Sequence, residues 1–169
     1  SGGSQFFQLL DLAGKQGEEV GTLRKVAQVV DGADQFHHLV HAPLQAKDSD
    51  LASVDAKVTD DSKRTYAAMV RALDSNVATI LAELDKLGLR ENTIIVFTSD
   101  NGATVDGCNL PLRGGKHTLF EGGTRLPTAI HWPKGGLVGG KKWDGLCGAL
   151  DMFPTLMAMA DLKMPETRP

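Results

Sequence analysis

Two short polar segments combine the residue types that bind cations and anions. Ser99-Asp100-Asn101-Gly102 places a carboxylate beside an amide oxygen, and Ca²⁺ and Mg²⁺ prefer such oxygen ligands. Asp, Asn and Gly are also common turn residues, so a plain turn is the alternative interpretation. Arg113-Gly-Gly-Lys116-His117 joins basic side chains to glycines, whose backbone N–H groups approach an anion closely. A solvated basic loop explains that second segment equally well.

A histidine and one charged pair are further candidates. His41 precedes Ala42-Pro43, and a histidine there can donate to an anionic ligand or to a leaving group. An ordinary loop histidine is the alternative interpretation. Glu121 and Arg125 are four residues apart, and a local ion pair accounts for them as well as a catalytic role does.

The elements that must position these residues are predicted from their apolar patterns. An apolar stripe at steps of three and four predicts a helix over residues 62–87, capped by Asp60 or Asp61 and ended at Gly88. The apolar run 93–98 does not alternate with polar residues, which favours a strand buried on both faces of a parallel sheet.

Weaker patterns complete the predicted order of elements. Residues 36–40 and 126–132 are predicted strands, and residues 46–61 are predicted as a polar surface loop. Asp151 is predicted to cap a last helix, with Pro154 tolerated in its first turn. This order predicts an α/β fold with a mainly parallel sheet flanked by helices.

The predicted topology brings the polar candidates together. If strands 36–40 and 93–98 are parallel neighbours, their carboxyl ends lie at one edge of the sheet, where ligands of open α/β sheets bind. His41 follows the first strand and Asp100-Asn101 follows the second. We therefore expect these three residues to converge.

Composition excludes several classes of function. The 169 residues carry a formal net charge of −3, so no basic field favours nucleic acid. The chain has no apolar run long enough to span a membrane, and no signal peptide is visible at Ser1-Gly2-Gly3-Ser4. Cys108 and Cys147 have neither zinc-site spacing nor the pattern of a disulfide framework. The localisation stays open.

Several segments together resemble the sulfatases of the alkaline-phosphatase superfamily, in particular the arylsulfatase-like branch. The resemblance covers residues 36–165 in order, whereas residues 1–35 match poorly and residues 166–169 form a tail. It rests on His41-Ala-Pro-Leu-Gln-Ala46, on Leu87-Gly-Leu-Arg-Glu-Asn-Thr-Ile-Ile-Val-Phe-Thr-Ser-Asp-Asn-Gly102, on Pro111-Leu-Arg-Gly-Gly-Lys-His-Thr-Leu-Phe-Glu-Gly-Gly-Thr-Arg125 and on Asp151-Met-Phe-Pro-Thr-Leu156.

This resemblance implies a partial sulfatase domain and a role for each candidate residue. Asp100 and Asn101 would ligate Ca²⁺, and Lys116 would bridge the sulfate and the nucleophile. His41 would contact the sulfate or its ester oxygen and help the alcohol leave. The substrate would be a sulfate ester. We expect the glycine-rich loop to hold Lys116 less firmly than the other site residues are held.

The sequence also departs from the sulfatase pattern. The family's nucleophile is a formylglycine made from the cysteine of a C-x-P-x-R motif, and no such motif occurs here. Cys108-Asn-Leu-Pro111-Leu-Arg113 has Pro and Arg one place too far along. The paired aspartates of the family's first strand are missing too, and Asp60-Asp61 open the long helix instead.

These departures predict an incomplete site. We expect the chain alone to be inactive and its Ca²⁺ site to be weak or empty, so that function needs a missing N-terminal part of the domain or self-association. Two other functions remain. One is a non-catalytic sulfatase-like module that binds an anion or a partner. The other is a phosphate- or phosphonate-ester hydrolase, which the Gly-Gly-Lys116 and Pro-Leu-Arg113 segments make the weaker alternative.

Overall fold

The computed structural model describes residues 43–164, which fall into two compact units. Among the described residues, the first unit comprises 43–90 and 98–128, and the second comprises 91–97 and 129–164. His41 and the predicted strand 36–40 lie outside the described residues.

A short helix, α1 (Asp48–Ala52), occupies part of the segment that was predicted as a loop. That prediction was wrong because the segment's acidic residues suit a helix start: Asp48 and Asp50 lie in the first turn, where the helix dipole favours negative charge. The Arg64 guanidinium donates to the carbonyl oxygen of Leu51 at 3.0 Å and ties α1 to the following helix.

The long helix, α2 (Asp61–Lys86), confirms the prediction from the apolar stripe. Asp60 is the N-cap, and its carboxylate accepts from the N–H of Lys63 at 2.8 Å. At the other end Gly88 has a φ of +69°, which glycine adopts at little cost. The N–H of Gly88 donates to Asp85 at 3.0 Å and that of Leu89 to Leu84 at 2.9 Å, so the helix ends in a Schellman motif.

The buried apolar residues of the described chain all lie in the first unit. They are Val54, Ala68, Met69 and Leu84. Met69 and Leu84 belong to the predicted stripe, but Val70 of the same stripe is 40% exposed. The core of this unit is therefore small and is built around α2.

The predicted strands form one two-stranded sheet among the described residues. Strand β1 (Ile95–Thr98) and strand β2 (Thr128–His131) are hydrogen-bonded neighbours, and each is shorter than its apolar run. The prediction that β1 is buried on both faces was wrong. Phe97 is 46% exposed, and only β2 pairs with β1 within the described chain. A larger, mainly parallel sheet stays a prediction.

The remaining α-helices of the described chain are α3 (Glu121–Thr124) and α4 (Ala149–Met159), and two 3-10 helices span Arg90–Asn92 and Pro133–Gly135. Asp151 is not the N-cap of the last helix, as was predicted, but its third residue. From there its carboxylate reaches back to accept from the N–H of Gly148 at 2.7 Å. Because α4 begins two residues before Asp151, Pro154 lies inside the helix rather than in its first turn. Within residues 43–164, no helix is both long and apolar enough to cross a membrane.

Candidate functional site

The segment that follows β1 presents the predicted cation ligands. The Ser99 hydroxyl donates to the carbonyl oxygen of Asn101 at 2.8 Å and closes a tight local turn. Asp100 is exposed and Asn101 is half-buried. Neither side chain forms a hydrogen bond or an ion pair with another residue in the range 43–164, so their oxygens are available to a ligand.

A close approach of two backbones places this turn against α3. The N–H of Gly102 donates to the carbonyl oxygen of Gly123 at 3.1 Å. A Cβ added at Gly102 would lie only 1.7 Å from the carbonyl oxygen of Gly122, where no side chain fits. This contact therefore requires glycine at position 102. Gly122 and Gly123 are required by the loop before α3, because a Cβ at Gly122 would lie 2.2 Å from the carbonyl oxygen of Gly114 and one at Gly123 would lie 2.3 Å from that of Thr118.

The lysine-bearing loop is joined to the same turn. The N–H of Lys116 donates to the carbonyl oxygen of Ala103 at 3.1 Å. The Asn109 side chain forms two hydrogen bonds with the backbone of Ala103. Its Oδ1 accepts from the Ala103 N–H at 2.8 Å, and its Nδ2 donates to the Ala103 carbonyl oxygen at 2.9 Å. The backbone of Lys116 is thus fixed beside the residue that lies two positions after Asn101.

A tight turn displays Lys116 and its neighbour. The N–H of Thr118 donates to the carbonyl oxygen of Gly115 at 3.0 Å, and the φ of His117 is +71°. A bond from the fourth residue to the first, with positive φ at the third, defines a type II turn. The Thr118 hydroxyl also donates to the Gly115 carbonyl oxygen at 2.8 Å, so two hydrogen bonds close this turn.

The loop that carries these residues is also anchored to α2. The Ser62 hydroxyl donates to Asp106 Oδ1 at 2.5 Å, and a Cβ at Gly107 would lie 3.1 Å from the Tyr66 hydroxyl. The expectation that Lys116 is held less firmly than the other site residues stays a prediction, although its backbone has specific hydrogen-bond partners. Hydrogen bonds to Ala103, together with the contacts to α2, hold the loop where its glycines alone would leave it free.

A shallow groove lies beside this loop within the first unit. It is lined by residues between Ala103 and His117, including Val105, Leu110 and Lys116. The Lys116 ammonium has no hydrogen bond or ion pair with the residues that the structure describes. The groove is open to solvent, so Lys116 can reach a small anion there.

Three of the four predicted site residues lie among the described residues. Asp100, Asn101 and Lys116 belong to one unit and are linked through Ala103. His41 lies outside the described residues. Arg125 and Glu121 form the local ion pair that was one of the two interpretations, with 3.6 Å between Nη1 and Oε1.

Two residues that shape the site had not been singled out from the sequence. Asn109 follows Cys108, which was considered only because its surroundings resemble C-x-P-x-R, and Thr118 follows the basic segment that ends at His117. The available signal was their type, since Asn and Thr commonly hydrogen bond to nearby backbone. Their partners, however, depend on how the loop folds back on itself.

Comparison with known proteins decides the family. A family model described as Sulfatase matches residues 34–162, which is more than half of the chain. The chain belongs to the sulfatase family. This membership supports the α/β, alkaline-phosphatase-like fold for the sulfatase domain as a whole.

Individual relatives agree with that assignment. N-acetylgalactosamine-6-sulfatase of Rattus norvegicus is 37% identical over 134 residues, which cover 76% of this sulfatase chain and 24% of the relative. The uncharacterized sulfatase YdeN of Escherichia coli (strain K12) is 35% identical over 156 residues, which cover 88% of this chain and 27% of the relative. This sulfatase chain therefore spans about a quarter of the length of the curated relatives it matches.

A solved structure is similar as well. The crystal structure of Ps i-CgsB in complex with k-i-k-neocarrahexaose superposes with a TM-score of 0.73 and 38% identity. The match covers 85% of this sulfatase chain and 34% of that protein.

Proposed function

We propose that this chain is the part of a sulfate-ester hydrolase that binds the sulfate group, and that it holds a share of a Ca²⁺ site. The observation that supports the proposal is the 3.1 Å hydrogen bond from the N–H of Lys116 to the carbonyl oxygen of Ala103, two residues after Asn101. Sulfate transfer builds negative charge on the peripheral and leaving oxygens, and fixed positive charge near those oxygens lowers the barrier.

The donor set fits part of a calcium site. Asp100 offers a carboxylate and Asn101 an amide oxygen, and both are free of partners within residues 43–164. Ca²⁺ takes six to eight oxygen ligands. The described residues contain no group of three His, Cys, Asp or Glu that could hold a metal ion. Asp100 and Asn101 would therefore be two ligands of a site whose others come from elsewhere, and bound Ca²⁺ would supply positive charge to the sulfate oxygens.

The chain's own residues have distinct tasks in this proposal. The Lys116 ammonium binds a sulfate oxygen and balances its charge, and the fixed backbone of the type II turn limits where that ammonium can go. His41 donates a proton to the ester oxygen as the alcohol leaves. The 169 residues contain no C-x-P-x-R motif, so the proposal assigns the formylglycine nucleophile to polypeptide outside this sequence.

A second candidate function has its own support. A non-catalytic module that binds an anion would need the lysine turn but no nucleophile, and the absence of C-x-P-x-R from these residues agrees with it. Such a module would bind sulfate but would never turn over a sulfate ester in any longer protein.

One experiment separates the two candidates. The coding DNA ahead of the Ser1 codon is read for an in-frame C-x-P-x-R motif, and the longer protein is expressed and assayed with aryl sulfates. The hydrolase proposal expects turnover that Lys116→Ala and Asp100→Ala each reduce at least a hundredfold, while Lys57→Ala, at an exposed position of the first unit, leaves it unchanged. Turnover that persists in Lys116→Ala would contradict the proposed role of the lysine. An upstream reading frame without the C-x-P-x-R motif would favour the binding module.

A further inference from the structure

One asparagine of this chain differs from the others in the residue that follows it. Of the four asparagines in the 169 residues, only Asn101 precedes a glycine, whereas Asn76, Asn92 and Asn109 precede Val, Thr and Leu. Glycine has no side chain to shield its backbone nitrogen, and its backbone adopts more conformations than that of any other residue. In a flexible chain, the nitrogen of Gly102 therefore reaches the side chain of Asn101 more readily than that of a bulkier residue would.

An Asn-Gly pair can undergo a spontaneous reaction, deamidation. The Gly102 nitrogen gives up its proton to a solvent base and attacks Cγ of Asn101. The new C–N bond closes a succinimide ring, and the bond from Cγ to Nδ2 breaks and releases ammonia, which takes up a proton from solvent. Water then opens the ring at either carbonyl and leaves an aspartate or an isoaspartate at position 101. Nothing is oxidised or reduced, and water is the only co-reactant.

The structure holds the peptide group between Asn101 and Gly102 at both ends. Its carbonyl oxygen accepts from the Ser99 hydroxyl at 2.8 Å. Its N–H donates to the carbonyl oxygen of Gly123 at 3.1 Å. Ring closure needs this peptide group to rotate, because the nitrogen must approach Cγ and lose its proton. Rotation breaks both hydrogen bonds, so the reactive geometry requires a local opening of the structure.

The space around Gly102 also opposes that rotation. A Cβ on Gly102 would lie 1.7 Å from the carbonyl oxygen of Gly122 and 2.9 Å from Cα of Gly123, so the two backbones are in direct contact. On the other side, the N–H of Ala103 donates to Oδ1 of Asn109 at 2.8 Å. The packed backbone therefore leaves little room for a displaced Gly102.

We propose that Asn101 is a latent deamidation site, which the fold keeps unreactive by holding the Asn101–Gly102 peptide group through Ser99 and Gly123. Asn101 reacts slowly in the folded chain and quickly whenever this contact opens. The modification does not depend on a sulfate-binding role for Lys116, since it involves only main-chain atoms and the Asn101 amide.

Deamidation changes the turn that carries the predicted cation ligands. An aspartate at position 101 places a second carboxylate beside Asp100, and neighbouring like charges repel. An isoaspartate adds one carbon atom to the main chain, which shifts the carbonyl group that the Ser99 hydroxyl binds. Either product accumulates in chains in which the contact between Gly102 and α3 has opened.

Mass spectrometry of the aged 169-residue chain tests this site. The chain is incubated in mildly alkaline buffer, either folded or unfolded in guanidinium chloride, and is then digested with trypsin. Cleavage after Arg90 and Arg113 gives one peptide that contains Asn92, Asn101 and Asn109. We expect Asn101 to react fastest of the three in the unfolded chain, and at least about tenfold more slowly in the folded chain, because a closed contact limits the reaction to its open fraction.

An aspartate elsewhere in the chain controls for the effect of the denaturant. Asp144 precedes Gly145 and isomerises through the same succinimide, with loss of water instead of ammonia. Both residues are exposed, and the N–H of Gly145 forms no hydrogen bond within residues 43–164. We expect isoaspartate to form at Asp144 at rates that differ by less than about twofold between the folded and the unfolded chain, since no contact there has to open.

Two variants assign the protection to the peptide contact. Ser99→Ala removes the bond to the Asn101 carbonyl oxygen, and we expect deamidation in the folded chain to become about fivefold faster, as the loss of one hydrogen bond allows. Ser75→Ala removes a hydroxyl from an exposed position on α2 and should leave the rate unchanged. Amide hydrogen exchange of the folded chain is a second measurement that needs no variant. The N–H of Gly102 should exchange at least about tenfold more slowly than that of Gly145.

Each part of this assignment has an outcome that overturns it. If Asn101 deamidates as fast in the folded chain as in the unfolded one, the fold does not protect it. If Asn92 or Asn109 reacts as fast as Asn101 in the unfolded chain, Asn101 is not the favoured site. If a folded Ser99→Ala chain reacts no faster than Ser75→Ala, or if the N–H groups of Gly102 and Gly145 exchange equally, the peptide contact is not the source of the protection.

Discussion

The main-chain N–H of Lys116 donates to the carbonyl oxygen of Ala103 at 3.1 Å. This bond joins the glycine-rich loop to the turn that carries Asp100 and Asn101, two segments that the sequence separates. Because the bond involves only backbone atoms, it leaves the Lys116 ammonium free to meet a ligand. The proposal that these residues share one sulfate site rests on this bond.

Asn109 is predicted to be essential for that geometry. Asn109→Ala removes two hydrogen bonds to Ala103 and leaves a part-buried N–H without a partner. We expect a loss of about 2 kcal/mol in the free energy of unfolding, measured by urea denaturation. Asn92→Ala, in the 3-10 helix Arg90–Asn92 and exposed, is the control and should change stability by less than about 0.5 kcal/mol. Equal losses in the two variants would show that the hydrogen bonds from Asn109 to Ala103 contribute nothing to the free energy of unfolding.

Glycine 102 is predicted to tolerate no side chain. Gly102→Ala would place a Cβ 1.7 Å from the Gly122 carbonyl oxygen, so the backbones must separate. We expect a loss of about 3 kcal/mol in the free energy of unfolding, in the range of severe overpacking. Gly88→Ala is the matched change, because its Cβ meets nothing within 4 Å and only its φ of +69° is strained. Gly88→Ala should lower the free energy of unfolding by about 1 kcal/mol. If Gly102→Ala lowers it by no more than Gly88→Ala does, the close approach of the two backbones is contradicted.

The sequence predicted the elements whose signals are local. Helix α2 was expected over 62–87 and spans Asp61–Lys86, because its apolar stripe, its acidic N-cap and Gly88 are all within one stretch of chain. Asp151 was identified as a capping residue, but its exact role depended on where α4 begins, and a helix boundary has a weaker signal than its interior.

Features that depend on distant partners were not predicted. The approach of Gly102 to Gly122 involves backbones twenty positions apart, and glycine carries no periodic signal that would pair them. The burial of β1 was overestimated for a similar reason. An apolar run reveals that a strand can be covered on both faces, but not which residues cover it, and Phe97 remains 46% exposed.

Calcium affinity tests the incompleteness of the metal site. The two proposed ligands, Asp100 and Asn101, would leave most of the coordination sphere to water, so we expect the chain to bind Ca²⁺ more weakly than about micromolar, the range of complete sensor sites. Calorimetry measures the affinity directly, and Asp100→Asn should weaken it further, whereas Asp74→Asn on α2 should not. Affinity tighter than micromolar would mean that further ligands complete the site.

Turnover by the isolated chain is predicted to be absent. The 169 residues contain the groups that we propose bind and orient a sulfate, but covalent catalysis needs an activated nucleophile, and the near-miss at Cys108 has the wrong spacing. A chromogenic aryl sulfate should therefore show no hydrolysis above background. Activity lost in Cys108→Ala would restore that exposed cysteine as a nucleophile, and activity that survives the change would reveal a different one.

The most direct test of the account is a titration of the ¹⁵N-labelled chain with sodium sulfate, followed by NMR. The account predicts that the largest amide shifts cluster at Asp100 to Ala103 and at Gly115 to Thr118, and that Lys116→Ala removes them while Lys57→Ala does not. Amide shifts confined to other segments, or shifts at these residues that persist in Lys116→Ala, would contradict the sulfate site.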